Sequence, residues 1–416
     1  MNKLVSRLGL AALLKTAASS LAVVLITAAS GAHAAPPTKT VKIGVITDMT
    51  GSLSAQSGRG SVIAAQMAVD DCLAKECAGM TIEILSADHQ NKPDVAVGIV
   101  RKWIDVDGVD AVTDIIQAAV QLAIQNLMKE KNHIALFPGG TARLANEDCA
   151  PKTSVLWMWD TYGQAVGITR PLATPDSSWF FVAADYAFGN SLIADATGLV
   201  QKAGGRVVGS VRHPFNATGD FASYLLQAQN SGAGVVAIGS TGGDLINMLK
   251  QAREFGLGKD GKQKVASFVL TLPDVAALGL DITQGVTVNE AFYWGLDAQT
   301  REFGKRFLAR YEKAMPSTIQ AGVYSVTLHY LKAVAAAGTT DTEAVMKMMH
   351  ALPISDAVIR NGTLRPDGRM VHDSYLFRVK SPAESKEPFD FYDLQATIPA
   401  KDAFRPLQES SCPALK

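Results

Sequence analysis

The chain has 416 residues, with 39 Lys and Arg against 39 Asp and Glu. This balance, without clustered Lys and Arg, excludes the electrostatic footprint of a nucleic-acid binder. Beyond the first 34 residues there is no long uncharged apolar run, which excludes a helical membrane span of the usual length.

Met1–Ala34 reads as a cleavable secretory signal. Lys3 and Arg7 supply a positive start, Lys15 precedes the apolar core Leu21–Ala29, and Ala32-His33-Ala34 fits the small-residue cleavage pattern. The first cysteine is Cys72, so a lipid-modified N-terminus is not expected. Cleavage removes Lys3, Arg7 and Lys15, leaving 36 basic residues against 39 acidic ones and a formal charge of −3. The expected location is the periplasm. The remaining 382 residues (416 less 34) exceed what one core usually serves, so two lobes are expected.

Val41–Thr47 is a short apolar run that meets a Gly- and Ser-rich turn and then a helix-like repeat reaching Asp71. Strand, loop and helix in that order place backbone N–H groups at the carboxyl end of the strand, where open α/β sheets bind ligands. Further strands are expected at Thr81–Ser86, Val109–Thr113, His133–Phe137 and Val155–Trp159, with helices at Asp94–Val106 and about Gln117–Lys131. The alternation restarts with strands Trp179–Ala183, Arg206–Val211 and Val235–Gly239, interleaved with helices at about Asn190–Ala203, Phe221–Asn230 and Asp244–Phe255. Two runs of βα units imply two parallel sheets covered by helices on both faces. Arg301–Met315, Gly322–Ala337 and Thr342–Ala351 read as helices, and Met370–Lys380 as a strand after the turn Pro366-Asp367-Gly368. The tail from Ser381 carries Phe389, Phe391, Tyr392 and Phe404, which argue that it packs on the body.

The four cysteines are Cys72, Cys77, Cys149 and Cys412. An oxidising compartment permits disulfides, and four cysteines allow three pairings that sequence cannot choose among. Cys72–Cys77 with Cys149–Cys412 is the expected set, because the first pair would close a short turn after a helix. The only close pair has four residues between its members, which does not fit a Cys-x-x-Cys redox or zinc motif. His89 lies in the polar loop Asp88-His89-Gln90-Asn91, and no other histidine has ligand-like spacing to a Cys or His, so no metal is expected.

The segments VKIGVITDMTG, ADHQNKPDVA, AADYAFGNS and KQAREFGL, in that order behind a signal, resemble the periplasmic solute-binding proteins of branched-chain amino acid (Leu/Ile/Val)-type ABC transporters. The likeness spans essentially the whole mature chain. It implies the type I periplasmic-binding fold: α/β, with two Rossmann-like lobes joined by a three-segment hinge. The first lobe would hold residues 41–158 and 297–370, and the second 162–292 and 377–416. The hinge would lie near 158–161, 293–296 and 370–377. The implied partners are a small carboxylate-bearing ligand and an inner-membrane ABC permease, with no cofactor and a monomeric state.

In that family the ligand carboxylate is held by the loops after the third and fourth strands. Here these are Gln117-Ala118-Ala119 and Gly139-Gly140-Thr141, where helix N-termini favour an anion. Gln117 replaces the small hydroxyl residue usual at its place, and its amide can still donate. The family's ammonium-binding carboxylate falls at Pro273, so Asp274 becomes the candidate; without it an aromatic or aliphatic acid, or an amide, would fit better. Tyr162, Tyr186, Phe188, Thr241 and Trp294 are the candidate walls. Each has an ordinary alternative: Gln117, Thr141, Thr241 and Asp274 as caps, the aromatic residues as core.

An enzyme is the rival class. Gly58-Arg59-Gly60 begins a dinucleotide fingerprint, but Ile63 stands where its third Gly belongs. No Gly-x-Ser-x-Gly elbow, His-Glu-x-x-His or P-loop occurs. A periplasmic sensor that delivers ligand to a receptor shares every feature above and stays open.

Overall fold

The computed structural model describes residues 40–216, 219–259 and 261–416; the expected export signal lies outside them. Five parallel strands form the first sheet: β1 (Val41–Thr47), β2 (Ile82–Asp88), β3 (Ala111–Thr113), β4 (Ile134–Gly140) and β5 (Ser154–Asp160), in the order β2-β1-β3-β4-β5. The near-continuous apolar runs of β1 and β4 are explained by burial on both faces. Ile43 and Val45 face α1 (Gly58–Leu73), whereas Ile46 and Val112 face α2 (Pro93–Lys102) and α3 (Ala118–Lys131).

The chain enters the second sheet without a loop. Asp160 ends β5 and caps α4 (Thr161–Leu172), accepting a hydrogen bond from the Gly163 backbone N–H at 2.8 Å. The sequence reading left this helix out. Its start is rich in Thr, Tyr and Gly, which are poor helix formers, and it depends on that cap. The second sheet holds β6 (Ser178–Ala184), β7 (Arg206–His213), β8 (Val235–Gly239) and β9 (Lys264–Ser267), parallel and in the order β7-β6-β8-β9. Its helices are α5 (Ala187–Lys202), α6 (Ala222–Asn230), α7 (Gly242–Glu254), α8 (Leu272–Leu278) and α9 (Leu280–Thr283).

The chain continues with β10 (Thr287–Glu290), then α10 (Ala298–Tyr311), α11 (Thr318–Ala337) and α12 (Thr342–Ala351); α10 and α11 pack on α1. A short hairpin follows, β11 (Thr363–Leu364) and β12 (Met370–Val371). The strand expected at Met370–Lys380 is therefore two strands, β12 and β13 (Ser374–Val379), interrupted where His372 turns in and places Nε2 2.7 Å from the Met158 carbonyl oxygen. β13 pairs antiparallel with β10 and with β14 (Tyr392–Ile398) in the tail. The architecture is the type I periplasmic-binding fold, with two Rossmann-like halves.

Arg369 fixes the junction between the halves. It is 1% exposed. Its guanidinium donates to the carbonyls of Leu156, Trp157 and Met158 at 2.7, 2.6 and 3.1 Å, and Nε lies 2.7 Å from the Asp160 carboxylate. Phe404 covers it, with its ring centroid 4.0 Å away. Burial lowers the Arg369 pKa to about 10, so its guanidinium remains charged at neutral pH. Both expected disulfides are present: Cys72–Cys77 closes the turn after α1, and Cys149–Cys412 ties the tail to the loop before β5.

Removing Arg369 leaves Asp160 buried without its counter-charge. Arg369→Met is expected to cost about 3–5 kcal/mol in urea unfolding, and a loss under about 1 kcal/mol would show that the pair does not hold the junction. The double change Cys149→Ser with Cys412→Ser is expected to cost about 2–4 kcal/mol by freeing the tail of the unfolded chain from its cross-link. An unchanged melting temperature would contradict this.

Candidate ligand-binding cleft

In both parallel sheets the strand order reverses, between β1 and β3 in the first and between β6 and β8 in the second. Ligands of open α/β sheets bind at such switch points, beyond the carboxyl ends of the strands. Segments that follow the strands of the two sheets meet one another directly. Ser52 donates through Oγ to the Asn216 side-chain oxygen at 2.7 Å, the Thr141 and Ser191 hydroxyls are 2.9 Å apart, and Gln56 donates to Asp274 at 3.3–3.4 Å. Gly242 adopts φ +56° with its Cα against the Ser52 carbonyl, a space that admits no side chain.

Local hydrogen bonding shapes each loop. After β1, the Asp48 carboxylate accepts from the backbone N–H groups of Gly51 and Leu53 and from the Asn91 side chain. After β3 and β4, one residue braces both loops. The Gln121 amide nitrogen donates to the carbonyls of Ile115 and Gly139 at 2.7 and 2.5 Å, and its oxygen accepts from the Thr141 N–H at 3.3 Å. Gln121 occupies the space a Cβ on Gly140 would need, and Gly140 sits at φ +153°. His89, expected in a polar edge loop, is fully buried instead; burial lowers its pKa, and Nδ1 accepts from the Asn91 N–H. Among the described residues, no group of three or more His, Cys, Asp or Glu is placed to hold a metal.

The sequence-derived residues fall into two groups. Gln117 caps α3 through its side-chain oxygen, which accepts from the Val120 N–H at 2.8 Å. Ala118 opens that helix and is buried among Phe188 and other residues of the second half. Gly140 and Thr141 end β4 beside them. From the other side come Tyr186, stacked on Phe215 at 4.4 Å, Phe188, edge-on to Trp159 at 6.1 Å, and Thr241, at the start of α7. Burial pushes the Tyr186 phenol pKa up, so it stays neutral. Tyr162 and Trp294 lie among other partners. The Tyr162 ring carries the Arg405 guanidinium at 4.5 Å, and Trp294 donates to the Phe389 carbonyl at 3.0 Å with Arg301 over its ring.

Asp274 sits in its own capping box. Its carboxylate accepts from the backbone N–H and the hydroxyl of Thr271 at 2.9 and 2.7 Å, and burial raises its pKa to about 6. A narrow cavity beside it is lined by Gln56, Trp159, Gln164, Thr271, Glu290 and Thr318 among others. Only ≈ 10 Å³ is open to the centre of a water molecule, so a larger guest requires the two faces to part. Gln164, with its amide nitrogen turned toward β9 and β10, bridges the Phe268 and Asn289 carbonyls at 3.0 and 3.1 Å. Sequence reading missed Gln56, Trp159, Gln164, Phe215, Glu290 and Thr318. The one signal available was the alternation of Trp157 and Trp159 on β5: Trp157 is fully buried and bonded to Ser325, and Trp159 reaches the cavity.

A family model described as a periplasmic binding protein matches residues 40–386. A periplasmic binding protein from Burkholderia mallei is 41% identical, covering 91% of this chain and 99% of its own, with a TM-score of 0.85. A branched chain amino acid ABC transporter periplasmic ligand-binding protein from Burkholderia xenovorans LB400 is also 41% identical, covering 90% of this chain and 100% of its own, with a TM-score of 0.80. An ABC transporter solute-binding protein from R. palustris, solved with benzoate, shares the fold at 18% identity and a TM-score of 0.77, covering 90% of this chain and 100% of its own. No curated protein sequence matches the chain. The family model and the two relatives at 41% identity agree with the paired switch points: the chain belongs to the periplasmic binding proteins of ABC transporters.

Proposed function

We propose that this protein is the extracytoplasmic solute-binding component of an ABC uptake transporter and captures a small carboxylate-bearing solute between its halves by hinge closure. The observation that supports this reading is the approach of Gly242, at the start of the helix after β8, to the Ser52 carbonyl after β1, with the Ser52–Asn216 and Thr141–Ser191 bonds beside it. The first lobe is residues 41–158 and 297–370, the second 162–292 and 377–416, and the hinge runs near 158–161, 293–296 and 370–377. The solute's carboxylate is received by the N-terminus of α3, the Gln117 amide and the Thr141 hydroxyl. Tyr186, Phe188 and Thr241 close over it, with Asp274 behind the far wall. Closure is favoured by contacts the solute makes better in the closed state. The B. xenovorans relative, described as serving branched-chain amino acids, and the R. palustris protein that holds benzoate make amino acids and aromatic acids the solute classes to test. The closed form then docks on an inner-membrane permease, and Met1–Ala34 is removed on export to the periplasm.

A thermal-shift screen of amino acids, aromatic acids and amides, followed by calorimetry, tests capture; turnover of any bound compound would defeat the binding-protein reading. Thr141→Val is expected to weaken binding by about 1–3 kcal/mol, because a buried polar partner is left unmet. Unchanged affinity would remove Thr141 from the site. The buried acids give a pH signature without ligand. Glu290 holds its proton up to about pH 8 when folded and loses it near the ordinary carboxyl value when unfolded. The folded state therefore binds more protons between those values, and stability falls as pH rises through them. The melting temperature is expected to decline from pH 5 to 9, less steeply in Glu290→Gln; equal slopes would contradict the burial of an ionisable Glu290.

A further inference from the structure

We propose that the C-terminal tail is a tether that limits how far the two halves part, with Arg405 as its anchor on the second half and the Cys149–Cys412 bond as its fastening on the first. This rests on the capture reading above and adds what bounds the open state. On the division given there, β14 joins the tail to the second half by pairing with β13. The chain then runs along the junction, where Phe404 covers Arg369 and Arg365 donates to the Arg405 carbonyl at 2.7 Å. The Arg405 guanidinium is held by the second half. It reaches the Asp195 carboxylate in α5 at 2.5 Å and lies over the Tyr162 ring. The Asp195 side chain is 8% exposed, and its other oxygen accepts from the Thr161 hydroxyl at 2.8 Å. Removing the cation from a buried carboxylate of this kind is costly, which makes Arg405 a firm anchor.

Beyond Arg405 the tail crosses over. Glu409 still meets Lys202 at the end of α5, at 3.1 Å, but both side chains are exposed and such a pair holds little. Two residues later the Ser411 N–H donates to the Asn146 side-chain oxygen at 2.6 Å, and Cys412 is bonded to Cys149. Asn146 and Cys149 follow soon after Thr141 in the first half. Ser191, one turn before Asp195 on α5, is the residue that meets Thr141. Parting the crevice therefore carries α5 away from the segment that holds the disulfide, with the tail strung between them. From Arg405 to Cys412 the chain takes seven steps, which reach at most about 25 Å when fully extended. The slack is the single short turn Leu407–Glu409, none of whose residues is buried. Once that turn is drawn straight, the disulfide stops further parting. A bounded open state also has fewer arrangements to lose on closing, so the tether lowers the entropic cost of capture.

The test is the distance between the halves in the solute-free mature protein. It is read by pulsed electron–electron resonance between nitroxides on Lys129→Cys and Lys250→Cys, two exposed positions on α3 and α7. Three forms are compared: the native tail, the double change Cys149→Ser with Cys412→Ser, and the native disulfide with six Gly and Ser residues inserted between Glu409 and Ser410. Both altered forms are expected to push the long-distance limit outward by more than about 5 Å, within the roughly 20 Å that six extended residues can add for the insert. The insert keeps the cross-link and lengthens only the chain, so it decides alone should the serine form fold poorly. A spread of distances in the native form that the insert leaves unchanged would overturn the tether and leave capture intact. One narrow distance in all three forms, unmoved by leucine, phenylalanine or benzoate, would overturn hinge closure and the tether with it.

Discussion

The fold turns on a single buried cation. β5 is the edge strand of the first sheet, so its outward carbonyls have no strand to pair with. It is also the strand whose last residue caps the first helix of the second half. Unpaired backbone acceptors at a buried edge are costly, and a strand end that carries a helix cap tolerates little slack. Arg369 meets both demands: three carbonyls in a row, then the carboxylate that makes the cap. A lysine would offer a point charge in place of a fork and could not serve four oxygens in that geometry. The hairpin that presents Arg369 continues the edge through the Leu156–Gly368 backbone bond, and the tail closes over it with Phe404. The relative placement of α4, and with it the faces that meet across the crevice, follows from this one side chain.

The crevice depends in turn on short-range bonds that organise backbone before any solute arrives. Gln121 holds the loops after β3 and β4 at a fixed separation by joining Ile115, Gly139 and Thr141. Asp48 folds the loop after β1 back on itself, so that Ser52 and Leu53 face the second half. The backbone of these three loops is therefore held in place by rigid elements. Such preorganisation lowers the ordering cost of binding.

Much of this was legible in the residues, and the limits have physical causes. β1 and β8 were recovered to the residue, because continuous apolar runs bounded by polar turns leave little choice. The Gly-Gly-Thr segment, expected as a loop, instead completes β4, which runs to Gly140 because both glycines still pair with β5, and Thr141 caps the short helix that follows. α4 was hidden, because its stability lies in the Asp160 cap and in tertiary packing rather than in propensity. β9, β10 and β14 are short or half-exposed, with burial patterns that do not alternate cleanly. Glu290 was invisible for a different reason: a lone acid in an apolar run carries no spacing signal, and only the approach of Thr318 from 28 residues away gives it meaning. Gln121 was hidden likewise, as a helix-interior glutamine whose importance lies in two loops it does not belong to.

The faces that meet are also greasy. Leu53, Ile116 and Ile319 from one half pack with Trp159 and with Phe215 from the other. Bringing these together removes apolar surface from water whether or not a guest is present, so part of the driving force for shutting belongs to the protein alone. On the proposed hinge-closure reading, the balance between open and shut forms would depend on this rim, and a guest would contribute only the remainder. Its calorimetric trace would show a negative heat-capacity change larger than the guest's own apolar surface explains. Trimming Leu53 or Ile116 would loosen every guest alike, without altering which one is preferred.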